Sequence, residues 1–202
     1  ADEYDSGADE AYDNAFEEAV GGGMGGWRLR AVYEDEEDAD NEYQRIIMEP
    51  IYDFDSSVFF DLDAKKQDKS DAKFCFVISS MTADAYKEEW GDDPASWPKS
   101  VHEWEFDWYR ADAVYIAEYY KIEDFSKTII TFQEIDGTEK KVNEDDEEAI
   151  ELLEATGAKE LRRRKVKSQR VHKYIMSGGK ILEDSGYIAG KYIPVIPVYG
   201  KR

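Results

Sequence analysis

The chain has 202 residues, of which 47 are acidic and 26 basic, for a formal charge of -21 at pH 7. That imbalance excludes tight general attraction to nucleic acid, because a phosphate backbone would be repelled everywhere except beside a local basic patch. The 42% apolar content, with 14 Tyr, 9 Phe and 5 Trp, excludes wholesale disorder and can fill one large or two small cores. The single cysteine, Cys75 within KFCFVI, excludes an internal disulfide and reads as a small buried apolar residue. Nothing resembles a signal peptide, and no run approaches the ~20 apolar residues of a membrane span. The lack of an initiator Met, the acidic helix-like start and the strand-like stop are what a piece of a longer protein would show, and processing or tag removal would leave a similar start.

Residues 2 to 20 carry eight acidic side chains and no basic one, yet Tyr12, Ala15, Phe16 and Ala19 share a stripe. The spacing predicts an amphipathic helix from Asp9 to Val20. Glycines 21, 22, 23, 25 and 26 are expected to stop it and form a flexible joint. This divides the chain into an acidic helix with a glycine hinge, residues 1–26, and a domain over residues 27–202, with an inner boundary near 92–100. No phosphate-binding loop fits these glycines, since no Lys-Ser/Thr ending follows them.

WRLRAVY, residues 27–33, alternates as a half-buried strand with Arg28 and Arg30 on its polar face. A second strand is expected from Tyr43 to Glu49, closed by Pro50, so that the two pair around the acidic loop at 34–42. That loop lacks the spacing and turn glycine of a calcium-binding loop. In IYDFDSSVFFDLD, residues 51–63, Asp53, Asp55, Asp61 and Asp63 form a candidate carboxylate cluster for metal or acid-base chemistry. The two-residue spacing equally suits the open side of short strands.

A compact strand follows at 73–79, then a helix capped by Thr82 and stopped by Gly91, then the rigid loop DDPASWP at 92–98. Trp104, Phe106, Trp108 and Tyr109 could stack bases, but Glu103, Glu105 and Asp107 surround them, and filling a core or subunit contact is the simpler role. Strands are expected at 112–123 and 128–135, joined by a polar connection at 124–127, with Asp136-Gly137 turning the chain. Asn143 is the expected N-cap of a helix ended by Gly157. His102 and His172 have no metal-ligating or triad companions in the sequence.

From Lys159 to Lys173 there are eight Lys or Arg residues and one acid. Arg162, Arg163, Arg164, Lys165, Lys167, Arg170 and Lys173 are the candidate contacts of this chain, either with acidic groups of the same or a neighbouring subunit or with phosphate. Val166 and Val171 have opposite parity, so a bulge or a change of buried face is expected between them. Gly178 and Gly179 return the chain as a hairpin. The prolines of GKYIPVIPVYG bar it from a central strand paired on both sides, so an extended edge strand or a crossing segment is expected, pinned by Tyr192, Val195 and Val198.

AVGGGMGGWRLR at 19–30, EPIYDFDSSVFFD at 49–61, AVYIAEYYK at 113–121, RRRKVKSQRVHKYIMSGGKILE at 162–183 and GKYIPVIPVYGKR at 190–202 together resemble the portal proteins of short-tailed double-stranded-DNA bacteriophages. The resemblance covers nearly the whole chain. It implies a structural subunit of a ring of about twelve at one capsid vertex, the virion's head-to-tail connector, assembled in the host cytoplasm. Double-stranded DNA passes through such a ring during packaging and ejection, and terminase, tail adaptor and capsid or scaffolding protein dock on it. The family's long stem helices lie beyond the segment matching GKYIPVIPVYG, so the chain is expected to be a fragment from the wing-like region. It should be α+β, mainly antiparallel sheet with several helices, with no enzyme activity, cofactor, metal or membrane contact. Two other classes stand beside this one: a divalent-metal-dependent hydrolase using the aspartate cluster, and a nucleic-acid-binding module using the basic strand.

Overall fold

The computed structural model describes residues 7–34, 43–97 and 106–200. In chain order its elements are α1 (Ala8–Gly22), β1 (Met24–Tyr33), β2 (Gln44–Pro50), α2 (Phe54–Ser57), β3 (Val58–Phe60), β4 (Phe74–Thr82), α3 (Ala83–Trp90), a 3-10 turn (Pro94–Ser96), β5 (Tyr109–Arg110), β6 (Ala113–Gln133), β7 (Glu139–Asn143), α4 (Glu147–Ala155), β8 (Lys159–Ser177), β9 (Lys180–Ile188) and β10 (Val195–Tyr199). The fold is α+β, and its hairpins are antiparallel. The chain forms two compact units, one of residues 1–122 with 171–202 and the other of residues 123–170. The described residues of the loop, 92–97, fall within the first unit.

In the first unit, α1 runs from Ala8 through Gly22, and the face it buries is Ala8, Ala11, Ala15 and Ala19. The expected stripe is thereby corrected: Phe16 is 67% exposed, because only methyl-sized side chains allow the helix to approach β1 this closely. Gly21 and Gly22 belong to the helix, and Gly23 ends it in the left-handed region, its N–H donating to the Ala19 carbonyl. Gly25 and Gly26 lie within β1 rather than in a joint. A Cβ on Gly25 would sit 2.2 Å from the Ala15 carbonyl oxygen, and one on Gly26 would sit 2.3 Å from the Phe54 ring.

β1 is the centre of a three-stranded sheet in the order β10-β1-β2. The β1–β2 hairpin forms as expected, with Trp27 opposite Pro50 and Tyr33 opposite Gln44. Its alternation does not bury one clean face, since Ala31 and Tyr33 are exposed. β10 lies at the edge that its prolines require. Ile193, Val195 and Pro197 are the buried residues there, whereas Tyr192 faces solvent.

Residues 51–63 are not simply short strands. Phe54 is fully buried and opens the single turn α2, whose first N–H groups are capped from a distance: the Glu18 carboxylate accepts from the N–H of Asp53 at 2.7 Å and of Phe54 at 3.1 Å. In the second sheet the order is β3-β4-β6-β8-β9. Thr82 caps α3 by accepting from the Ala85 N–H, and Gly91 stops that helix. Two cores serve this unit. One joins Ile51, Phe54, Val58, Cys75, Val77, Tyr120, Val171 and Val195, and the other gathers Tyr86, Val114 and Ile116 beside Trp90 and Trp97.

β6 is a single strand of 21 residues, which corrects the two strands and polar connection expected at 124–127. Asp124-Phe125-Ser126-Lys127 contains neither Gly nor Pro, so nothing in it forces the backbone out of extended geometry. β8 shows register irregularities against β9 at 173/174 and 175/176, in a pairing that begins at Val171.

In the second unit, Asp136-Gly137 turns β6 into β7, with Gly137 at φ 89°. Asn143 ends β7, in register with Ile129, and Asp146 is the actual N-cap of α4, accepting from the Ala149 N–H at 3.1 Å. Ile130, Phe132 and Leu153 form the core here, with Val142, Ile150 and Ala158 packed against it.

Candidate functional site

The basic strand is built on the second unit's sheet. Ile130 and Phe132 of β6 turn inward to Leu153 of α4, so strand alternation directs Ile129 and Thr131 to the opposite face. There Thr131 stands in register with Lys141 of β7. With Arg162, Arg163 and Arg164 of β8 these residues line a groove of about 310 Å³. Thr131 is itself buried, while the cationic side chains around it are exposed.

Acids of the same unit account for part of this charge. Arg163 donates through Nε and Nη2 to the two Glu160 oxygens at 2.7 and 3.0 Å, and through Nη1 to Glu144 at 2.8 Å. Hydrogen bonding from Arg163 holds the Glu160 carboxyl below the ordinary glutamate range. Arg162 reaches Glu139 at 3.5 Å. Arg170 reaches Glu123 at 3.4 Å, with its guanidinium 5.4 Å from the centre of the Phe125 ring. Lys141, Arg164, Lys165 and Lys167 are exposed and make no ion pair among the described residues. The sequence grouped the β8 cations as one patch without Lys141; the structure separates the neutralised from the unneutralised.

Lys173 belongs to the first unit and to a different arrangement. There Glu118 of β6 accepts from Arg28 Nη1 at 2.6 Å and from the Tyr120 hydroxyl at 2.8 Å, with Lys173 Nζ at 3.7 Å. Arg28 also donates through Nε to Glu49 at 2.7 Å, and Arg30 pairs with the other Glu49 oxygen at 2.9 Å. Burial alone would raise the Glu118 carboxyl, but Arg28, then Lys173, then the hydrogen bonds outweigh it and hold it below its ordinary value. Burial followed by the Glu118 charge pushes the Tyr120 hydroxyl well up. This node was missed in the sequence. Its signal was a carboxylate at position 118 on the face shared by Val114, Ile116 and Tyr120, where a half-buried charge needs a partner.

The aspartates do not converge. Asp61 is buried as an acceptor for the backbone N–H groups of Asp63 and Lys73, at 3.0 and 3.1 Å. Asp53, Asp55 and Asp63 are exposed, and no metal-holding group of three His, Cys, Asp or Glu side chains exists among the described residues. The hydrolase reading is left without support. His172 is locally bonded, with Nε2 against Asp184, Nδ1 3.0 Å from the Tyr174 hydroxyl, and its ring stacked on Tyr174. Phe106 packs edge-on against Trp108 and Tyr115. His102, Trp104 and most of the acidic loop at 34–42 lie outside the described residues.

A family model for phage P22-like portal proteins matches residues 1–202. A portal protein of Acyrthosiphon pisum secondary endosymbiont phage 1 is 41% identical over 207 aligned residues, which cover 100% of this chain and 28% of that protein. The chain therefore spans little more than a quarter of the curated relative's length. Since the family match runs through both compact units from the first residue to the last, the chain belongs to the phage P22-like portal protein family.

Proposed function

We propose that this chain is the wing-like segment of a portal subunit and that its work is structural: it packs the outer part of a ring and supplies surface to its neighbours. The family match over every residue carries this reading. The polar node around Glu118 supports it, because Arg28 and Glu118 tie the two sheets of the first unit together as a stiff scaffold would require. In the complete protein about twelve such subunits close around a channel for double-stranded DNA at the capsid vertex, having assembled in the host cytoplasm. Terminase, tail adaptor and capsid or scaffolding protein bind that complete ring. Arg162, Arg163, Arg164, Lys165, Lys167, Arg170 and Lys173 are assigned structural contacts and no covalent chemistry. Electron imaging of the complete polypeptide tests the proposal. Closed rings with a channel of DNA width are expected, and monomers alone under assembly conditions would overturn it.

A further inference from the structure

The geometry points to the groove of Lys141, Thr131, Arg162 and Arg164 as the place where an acidic segment of a second copy of this chain docks. The inference rests on the ring-forming reading above and adds to it a surface and its occupant. One face of the β6–β7 pair is covered by α4, through Ile130, Phe132 and Leu153. The other face carries the groove, of about 310 Å³, lined by two apolar or hydroxyl side chains and four cations. Of those four, Arg163 is already held on both sides by Glu160 and Glu144, and Arg162 has only a long contact with Glu139. Arg164 and Lys141 have no acid of the described residues in contact.

Exposed cations without carboxylate partners favour an anionic partner, and two classes of macromolecule could supply it. Duplex nucleic acid presents phosphates as a long continuous track. Here such a track would run onto Glu139, Glu144 and Glu160, which border the cations. A protein segment places carboxylates singly, so it can meet Lys141 and Arg164 without running onto the bordering acids. The chain is itself such a partner, since its acids outnumber its bases 47 to 26 while residues 159–173 hold eight cations and one acid. A second copy therefore brings complementary charge to the groove without any further component.

The test uses zero-length carbodiimide cross-linking of an equimolar mixture of unlabelled and 15N-labelled full chain at low salt, read by mass spectrometry. Mixed-label links from Lys141 or Lys165 to Asp or Glu residues are expected, falling at least tenfold in 0.5 M NaCl, and the Lys165 links, whose amine is retained, should fall likewise in the Lys141→Glu/Arg164→Glu variant. Same-label links alone would overturn the inference. So would salt-sensitive binding of a duplex oligonucleotide that is lost in the variant, which would assign the groove to phosphate. Circular dichroism checks that the variant folds, and Arg164→Gln offers a milder change with a smaller expected loss. Electron imaging of the complete polypeptide separates the two readings. Rings from the wild type that persist unchanged with both reversals would sink the groove's role and leave the portal reading standing, whereas no rings from the wild type would sink the portal reading itself.

Discussion

The Arg28 guanidinium and the Glu118 carboxylate, 90 residues apart in sequence, meet at 2.6 Å and join the central strand of one sheet to a central strand of the other. Both side chains keep about a quarter of their surface exposed, at 25% and 21%. The pair is accordingly worth less to break than a fully buried one, whose disruption costs about 3–5 kcal/mol. It is worth more than a surface pair, because Glu118 also satisfies the Tyr120 hydroxyl and Arg28 also holds Glu49. Glu118→Gln is expected to destabilise the chain by about 1–3 kcal/mol in urea denaturation. A double-mutant cycle with Arg28→Met should show coupling above about 0.5 kcal/mol, and strict additivity would mean that the two residues act independently.

The same carboxylate sets a pH dependence. Its native pKa lies below the ordinary value of 4.5, so the native state holds the charged form more strongly than the unfolded chain does. The resulting stability is complete above about pH 4.5 and is lost as pH falls through the lower native pKa. The stability gap between wild type and Glu118→Gln should therefore stay level from pH 7 to about 5 and narrow below that. A gap that widens towards acid would mean that the fold raises the Glu118 pKa instead of lowering it.

How much of this could be read from residues alone depended on whether the deciding interaction was local. Thr82 and Gly91 bounded α3 correctly because a cap and a left-handed stop are properties of a few adjacent residues. Pro197 put β10 at an edge for a similarly local reason, the missing donor. Asn143 and Asp146 were rival caps within one acidic run, and pairing of Asn143 with Ile129 across the hairpin decided between them. The groove was harder still: eight cations were visible, but the acids that neutralise Arg163 and leave Arg164 unpaired come from β7's end and β8's start. The glycines were misread for the same reason, since their role is set by what lies across from them.

Those glycines give a paired prediction. Gly25 and Gly26 face backbone and ring atoms at 2.2 and 2.3 Å from where a Cβ would be, whereas nothing lies within 4 Å of one on Gly22. Gly25→Ala must push α1 away from β1, because the Ala15 carbonyl it meets is part of the helix backbone. It should cost about 1–3 kcal/mol or more by overpacking. Gly22→Ala, in the last helical turn, should stabilise by about 0.5–1 kcal/mol. Thermal melts of the two variants check this, and a harmless Gly25→Ala would mean that α1 does not dock as described.

Cys75 offers a probe of the core beside the node. It is fully buried and stands opposite Tyr120 in the β4–β6 register. Burial, reinforced by the Glu118 charge, raises its thiol well above the ordinary value of 9.0, so at pH 8 very little thiolate exists in the native state and no reagent reaches it directly. Labelling by an aromatic disulfide reagent should proceed only through opening of the sheet, slowly in the native chain and at once in 6 M guanidinium. If opening is the route, a destabilisation of about 1.4 kcal/mol in Glu118→Gln should speed native labelling by about tenfold, since the open population scales with the equilibrium constant. Immediate native labelling would place Cys75 at the surface, and a rate indifferent to Glu118 would show that the node does not hold this part of the sheet closed.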